Sequence, residues 1–218
     1  MARVYGQVLG LNSGIIGPVM YKIVKGIQYA SKRPDPKPKG WTPSEKQKAV
    51  MDKFTALNSL ATSAIKVADI GLAPYNKRKP YYNPISSFIK LNYDAVELDV
   101  SKWIVAPDRL QFSWGNLCNI YSPNIIAIGP DRVTVRWATE PTSYMRKNPN
   151  DYVMFVFYDE YDGYIWLYND VVRRQQHGAT LYLLHQFTGH KINMYVFTMT
   201  DNQLNCSKTL YVEKFVPQ

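Results

Sequence analysis

The sequence has few of the residues on which metal and redox sites depend. Its 218 residues include 2 cysteines and 3 histidines. Cys118 and Cys206 stand far apart and neither belongs to a Cys-x-x-Cys pair, so neither a zinc site nor a disulfide framework is indicated. The histidines His177, His185 and His190 do not have the spacing of paired metal ligands. We therefore expect no cofactor and no metal.

Long apolar runs are also missing. No stretch approaches the ~20 predominantly apolar residues that a membrane-spanning helix requires. The opening Met-Ala-Arg-Val-Tyr has no apolar segment of the kind found in a signal peptide. We expect a chain that is made in the cytoplasm and has no membrane span.

The motifs of common catalytic sites are absent as well. The segment Gly10 to Gly17 lacks the Gly-Lys-Ser/Thr ending of a phosphate loop, and no Gly-x-Ser-x-Gly elbow occurs. Asp159, Glu160 and Asp162 crowd one turn, whereas glycosidase carboxylates must face each other across a cleft. They also offer too few oxygen ligands for a calcium loop. The sequence predicts that the protein is not an enzyme.

Aromatic residues are plentiful, with 17 Tyr and 5 Trp, and this composition favours pleated sheet. From about residue 95 the apolar pattern has a period of two, most clearly where Val133, Val135 and Trp137 alternate with polar or small residues. Turn residues at 159–163 and 201–203 indicate two hairpins. This pattern predicts a C-terminal immunoglobulin-like antiparallel β-sandwich. The predicted strands are 96–105, 109–115, 131–138, 151–159, 163–169, 179–187, 191–200 and 206–215.

A helical segment precedes the predicted sandwich. Thr42 as N-cap, Pro43 at the first helical position and Glu45 at the third match a capping box. The helix is expected to end at Gly71 and Pro74, with a loop at 76–79 and a short second helix from Pro84 to Asn92. Its apolar stripe either packs on its own domain or contacts a neighbouring subunit. That stripe consists of Val50, Phe54, Leu57, Ala61, Ala64 and Ala68.

The first 43 residues form a different region. Recurrent glycines separate short β-prone runs such as 19–24, which suits a bent ribbon, and a Pro- and Lys-rich linker follows at 32–40. The sequence therefore divides into a Gly-rich arm and linker (1–43), a helical segment (44–94) and a sandwich (95–218), in a mainly β, α+β fold. The arm residues expected to contact a partner are Arg3, Tyr5, Gly6, Gly10, Ser13, Gly14, Gly17, Val19, Tyr21 and Gly26.

A net charge of +9 suggests an anionic neighbour. Two basic segments could contact the phosphates of DNA without reading its sequence, beside the aromatic residues Trp41, Tyr81 and Tyr82. The alternative is a solvated linker and loop. The basic residues concerned are Lys32, Arg33, Lys37, Lys39, Lys77, Arg78 and Lys79.

Short motifs near both ends of the chain carry a resemblance to other proteins. The N-terminal residues are Met1-Ala2-Arg3, Gly6, Gly10, Ser13-Gly14, Gly17, Val19, Lys25-Gly26, Thr42-Pro43 and Gln47. The C-terminal residues are Tyr195-Val196-Phe197 and Ser207-Lys208-Thr209-Leu210-Tyr211. In these features the chain resembles a family of uncharacterised proteins from Bacteroides-group gut bacteria and their phages, including crAss-like phages. It departs from that pattern in the basic character of the helix and of 75–94.

The resemblance implies a non-enzymatic structural or assembly protein of a tailed-phage virion, in the neck or tail. Its expected partners are copies of itself in a closed ring, such as a dodecamer, and other neck, tail or portal proteins. Its expected location is the virion, assembled in the host cytoplasm. The alternative is a β-sandwich binding module for a glycan or a host-surface protein. Exposure of Trp103, Trp114, Trp137 and Trp166 would favour that module, although strand alternation places at least two of them in the core.

Overall fold

A computed structural model describes residues 2–3, 13–24, 26–36, 38, 40–78, 83–99, 102–138, 148–168 and 170–217. The chain divides into two compact units, Met1–Ser44 and Glu45–Gln218. The three-part division into arm, helical segment and sandwich stays a prediction. Within the described residues, no helix combines the length and the apolar character needed to cross a membrane.

The first unit contains a four-stranded antiparallel sheet. Its strands are β1 (Ala2–Arg3), β2 (Gly14–Ile16), β3 (Val19–Val24) and β4 (Ile27–Lys32), in the order β1-β4-β3-β2. Gly17 and Gly26 stand at the two hairpin turns with φ of 57° and 76°, a conformation that other residues adopt only with strain. The prediction of a β-ribbon with glycine turns and a strand at 19–24 is confirmed.

The second unit begins with four helices: α1 (Glu45–Ser63), α2 (Ile65–Gly71), α3 (Ala73–Arg78) and α4 (Pro84–Leu91). The side chain of Asn83 caps α4 by accepting a hydrogen bond from the backbone N–H of Ser86 at 2.6 Å. Pro84 follows at the first helical position, where its missing N–H is not needed. The prediction of a short second helix beginning at Pro84 is confirmed.

Four predictions about the helices are wrong. The first helix begins at Glu45, two residues after Pro43, and it is interrupted at Ala64 rather than running unbroken to Gly71. Pro74 does not end a helix: it is the second residue of α3, and proline is tolerated in the first turn of a helix. Residues 76–78 belong to α3 and are not a loop.

The rest of the second unit is mainly β structure. A hairpin pairs β5 (Val96–Asp99) with β6 (Lys102–Val105). Seven further strands form two antiparallel sheets with the orders β10-β9-β12-β13 and β11-β8-β7. Two facing sheets in this strand order are typical of immunoglobulin-like sandwiches. The strands are β7 (Tyr121–Ile128), β8 (Arg132–Ala138), β9 (Tyr152–Asp159), β10 (Ile165–Leu167), β11 (Gly178–Tyr182), β12 (Ile192–Met199) and β13 (Leu210–Phe215).

The mainly β fold with a C-terminal sandwich is therefore confirmed, and both predicted hairpins are present. Several predicted strands differ from those observed. The strand 96–105 is a hairpin, and β11 ends at Tyr182, so His185 lies in a short 3-10 helix (His185–Phe187) and not in a strand. Strand β13 begins at Leu210, four residues later than predicted. Strand β7 was not predicted.

Residues 109–115 do not form the predicted strand. Their backbone groups bond to side chains and to other loops instead of to a ladder. The N–H groups of Phe112 and Ser113 both donate to Oγ1 of Thr209, at 2.8 and 2.9 Å, and the N–H of Gln111 donates to Asn92. A segment whose donors are satisfied in this way has no need of a neighbouring strand.

The second unit has two apolar cores, one on each face of the four-stranded sheet. Ile192, Met194 and Val196 of β12 point between the two sheets, where they meet β8 and β11. The alternate residues Tyr195 and Phe197 point toward the helices. Strand β12 is consequently buried on both faces along its whole length. The arrangement is three-layered: helices, a four-stranded sheet and a three-stranded sheet.

Candidate interaction surface

The apolar stripe of the first helix is only partly buried. Leu57 and Ala61 in α1, together with Ala64 and Ala68 beyond it, are fully buried, and the three alanines belong to the core beneath the helices. In contrast, Val50 is 51% exposed and Phe54 is 49% exposed. All eight residues from 45 to 52 are exposed. The first two turns of α1 therefore present an apolar face that no described residue of the chain buries.

Aromatic and aliphatic side chains from two other elements adjoin this part of α1. The ring of Phe54 lies 6.2 Å, centroid to centroid, from that of Tyr93, which follows α4. Between α1 and α4 lies a groove of about 530 Å³. Both apolar and polar side chains line the groove. Its lining residues are Phe54, Ser86, Ile89, Lys90, Tyr93 and Asp94.

The β5–β6 hairpin extends the same surface. Lys53 places its amine 4.0 Å from the ring centroid of Tyr93 and 5.3 Å from that of Trp103 in β6, within the range of a cation–π contact. Leu98 stands directly opposite Trp103 in the hairpin and is more than half exposed. We call the exposed set Val50, Met51, Phe54, Tyr93 and Leu98 the α1 face.

The chemistry of the α1 face suits burial against another surface. Val50, Met51 and Phe54 fall at spacings of three and four, so they share one side of the helix. Full burial of an exposed Val, Leu, Met or Phe side chain stabilises by about 1.5–3 kcal/mol. The sequence placed Val50 and Phe54 in an apolar stripe but missed Met51, Tyr93 and Leu98. A signal for Leu98 was present, since it stands between the acidic residues Glu97 and Asp99 in a β-prone run.

The predicted arm residues belong mainly to the sheet of the first unit. Gly14 lies in β2, Val19 and Tyr21 lie in β3, and Gly17 and Gly26 occupy turns, while Ser13 precedes β2 and is exposed. Arg3 lies in β1. Among the described side chains of this unit only Gln28 is buried. Tyr5, Gly6 and Gly10 lie outside the described residues.

The predicted basic residues are distributed over two places. Lys32 and Arg33 are exposed at the end of β4 and just beyond it, and Lys32 lies 3.6 Å from Asp35. Lys77 and Arg78 belong to α3. Trp41 is exposed. Lys37, Lys39, Lys79, Tyr81 and Tyr82 lie outside the described residues.

The four tryptophans of the second unit do not form an exposed aromatic surface. Trp137 is buried in the core between the sheets. Trp166 stacks on Phe157 with a centroid distance of 5.5 Å, and Trp114 packs against the core beneath the helices. Trp103 is half-buried beneath Lys53. Exposure of these four tryptophans would have favoured a binding module, and none of the four is exposed.

The titratable groups of the sandwich serve structural contacts. Asp159 is buried and accepts hydrogen bonds from Nδ1 of His190 at 2.6 Å and from the backbone N–H of Tyr161 at 2.8 Å. His177 and His185 are exposed. Burial raises the pKa of the Cys206 thiol to about 11. Within the described part of the chain, no group of three or more His, Cys, Asp or Glu side chains is placed to hold a metal ion.

No model of a known protein family matches the chain, and no curated protein matches it. Among solved structures, the chain is similar to domains A168–A170 of titin, with 13% identity and a TM-score of 0.36 over 48% of this chain. It spans about a third (33%) of the length of that titin fragment. It is also similar to the fn3 domain of the human collagen alpha-1(XX) chain, with 15% identity and a TM-score of 0.34, covering 49% of this chain and 85% of that domain.

Proposed function

We propose that the protein is a non-enzymatic structural and assembly protein whose copies associate through the α1 face and the N-terminal arm. The single observation that carries this proposal is the exposure of the first two turns of α1. Isolated helical turns are marginally stable in water, and helices in proteins gain most of their stability by packing an apolar face. A neighbouring copy supplies the surface that covers Val50, Met51 and Phe54.

The sheet of the first unit supports a contact by the arm. Its described apolar side chains are all at least partly exposed, with Ile15 and Ile16 of the edge strand β2 among the most exposed. A small sheet of this kind needs a covered apolar face for stability. Among the described residues, the edge strand β2 pairs only with β3, so its other side can pair with a strand of another chain.

Two different contact surfaces in one chain suit a head-to-tail arrangement. When a surface on one copy contacts a different surface on the next, the contact repeats around a ring if the rotation closes. We propose a closed ring, such as a dodecamer, in the neck or tail of a tailed-phage virion, next to other neck, tail or portal proteins. The sequence resemblance at both ends of the chain supports this setting.

Electron microscopy of the purified full-length protein tests the ring. Negatively stained particles should be closed rings of uniform diameter, because a head-to-tail contact of fixed geometry closes at one copy number. Particles the size of a single chain, even when the sample is applied at high protein concentration, would contradict self-association through these surfaces.

The virion setting needs its own test. An antibody raised against residues 45–218 should label intact phage particles at the neck or tail. Recovery of the protein in the infected-cell lysate, with none in purified particles, would contradict a place in the virion while leaving self-association to be judged by microscopy.

A further inference from the structure

Positive charge is concentrated in the first unit. Residues 1–44 contain seven Lys or Arg and one acidic residue, Asp35, whereas residues 45–218 contain 19 Lys or Arg and 16 Asp or Glu. The single acidic residue of the first unit lies beside Lys32, at 3.6 Å. One fifth of the chain thus carries six of its nine net positive charges. A small unit with this balance favours an anionic partner.

The sheet register brings basic and aromatic positions into one row. Tyr29 of β4 stands directly opposite Arg3 of β1 on one side and directly opposite Lys22 of β3 on the other. Directly opposed residues of neighbouring antiparallel strands share a face of the sheet. The middle of the four-stranded sheet therefore carries the row Arg3, Tyr29, Lys22 across three strands.

The accessible parts of this row fit a nucleic acid. Lys22 is exposed and Tyr29 is half-buried, so a lysine amine and part of an aromatic ring are open to a ligand on the same face. Unpaired bases stack on aromatic side chains, and neighbouring basic side chains contact the phosphates. The ring of Tyr29 beside the exposed Lys22 places a stacking surface next to a phosphate-binding amine on one face of the sheet.

Other anionic partners fit this face less well. Binding to an anionic membrane surface generally uses an amphipathic helix with a wide apolar side, and the described part of the first unit is made of strands and loops. An acidic protein would be attracted by the charge alone, and its binding would not depend on the accessible ring of Tyr29 beside Lys22.

We propose that the sheet face around Tyr29 and Lys22 binds single-stranded nucleic acid without sequence preference. A base stacks on Tyr29, Lys22 contacts an adjacent phosphate, and the exposed Arg33, just beyond β4, extends the basic track. This activity is separate from subunit association, because it uses neither the α1 face nor the edge strand β2.

Fluorescence anisotropy with the full-length protein tests the site. The probe is a fluorescein-labelled oligothymidylate of about 20 nucleotides, longer than the roughly 4–16 nucleotides that one OB-fold single-strand-binding domain occupies. Replacing the ring by Tyr29→Leu should weaken binding about tenfold, the effect of losing one stacked base. Tyr29→Phe keeps the ring and should bind within about twofold of the unaltered protein.

Salt dependence tests the lysine. Lys22→Gln should weaken binding and reduce the slope of log K against log salt by about 0.7, the value for one single-strand phosphate contact. Lys66→Gln, which removes an exposed lysine from α2, is the matched control and should leave the slope unchanged. Circular dichroism of each variant verifies that it is folded.

Three results would overturn the proposal. The first is equal weakening by Lys22→Gln and Lys66→Gln, which would assign binding to overall charge. The second is unaltered binding by Tyr29→Leu, which would exclude stacking. The third is equal affinity for heparin or for phosphatidylserine vesicles with the same response to the variants, which would make the face a general polyanion surface.

Discussion

The guanidinium of Arg174 lies 3.6 Å from the carboxylate of Asp151, and both side chains are almost completely buried in the sandwich. Arg174 also donates hydrogen bonds to the backbone carbonyls of Cys118 and Asn119 and to Oγ1 of Thr198 in β12. One side chain thereby ties the irregular segment before β7 to the central strand of the four-stranded sheet.

Removing Arg174 should destabilise the second unit strongly. Arg174→Ala leaves the Asp151 carboxylate buried without the guanidinium, and it removes the charged donor from the carbonyls of Cys118 and Asn119. Breaking a buried ion pair in this way costs about 3–5 kcal/mol. Urea denaturation measures the free energy of unfolding. Arg136→Ala removes an exposed arginine from β8 and should change the free energy of unfolding by less than about 0.5 kcal/mol. Equal losses in the two variants would contradict the structural role of Arg174.

Glu160 should make stability depend on acid pH. Burial acts to raise its pKa, but hydrogen bonds from Lys214 and Asn193 outweigh burial and hold the pKa below its usual value of 4.5. A carboxyl whose pKa is lowered by folding stabilises the folded state above its unfolded pKa, and loses this effect as pH falls through the folded pKa. The stabilisation should therefore be complete near neutral pH and decline below about pH 4.5.

The variant Glu160→Gln tests this dependence by denaturation at several pH values. It should be less stable than the unaltered protein at pH 7, and the difference should shrink toward pH 3 because a protonated glutamate resembles glutamine. Glu213→Gln, at an exposed position of β13, is the matched control. A difference that stays constant from pH 7 to pH 3 would contradict the ionic contact with Lys214.

Cys206 should be unreactive in the folded protein. Its thiol is buried, donates a hydrogen bond to the carbonyl of Gly71 at 3.0 Å, and has a pKa raised to about 11 by burial. Because the thiolate is the reactive form, little of it exists at pH 8. Ellman's reagent should label Cys206 only after denaturation, as read by mass spectrometry of its peptide. Rapid labelling of the native protein at this position would contradict the buried environment.

The N-terminal arm should be dispensable for the fold of the second unit. Both apolar cores are built from residues between 60 and 215, and no described residue of the first unit belongs to either of them. Deleting residues 1–40 should leave the near-ultraviolet circular dichroism of the sandwich and its cooperative melting intact, while lowering the mass in solution to that of one chain. An unchanged oligomer after the deletion would contradict a contact by the arm.

Much of the sandwich could be predicted because its strands are buried either on one face or on both faces, and each case leaves a recognisable apolar pattern in the sequence. Val133, Val135 and Trp137 alternate with exposed residues, and all three are buried, as a half-buried strand requires. The continuous apolar run of β12 reflects burial on both faces. Strand β7 escaped prediction because it is an edge strand with mostly exposed side chains, and it contains Pro123, which cannot donate to a ladder.

The candidate surface was harder to predict than the fold. The apolar stripe correctly identified the side of α1 that is apolar. A periodic pattern does not show which turns of the helix pack on the core and which extend beyond it. The stripe was expected either to pack on its own domain or to contact a neighbouring subunit; burial begins at Leu57, and Val50 and Phe54 are surface residues. Tyr93 and Leu98 join them only through tertiary packing of α4 and the β5–β6 hairpin.

The measurement that tests the central proposal most directly is the mass in solution of two single-residue variants, by light scattering beside the unaltered protein. Phe54→Glu places a charge in the α1 face, and Ser59→Glu places the same charge on an exposed position at the far side of α1. We predict an oligomer for the unaltered protein and for Ser59→Glu, and the mass of one chain for Phe54→Glu. An oligomer that survives Phe54→Glu unchanged would contradict association through the α1 face.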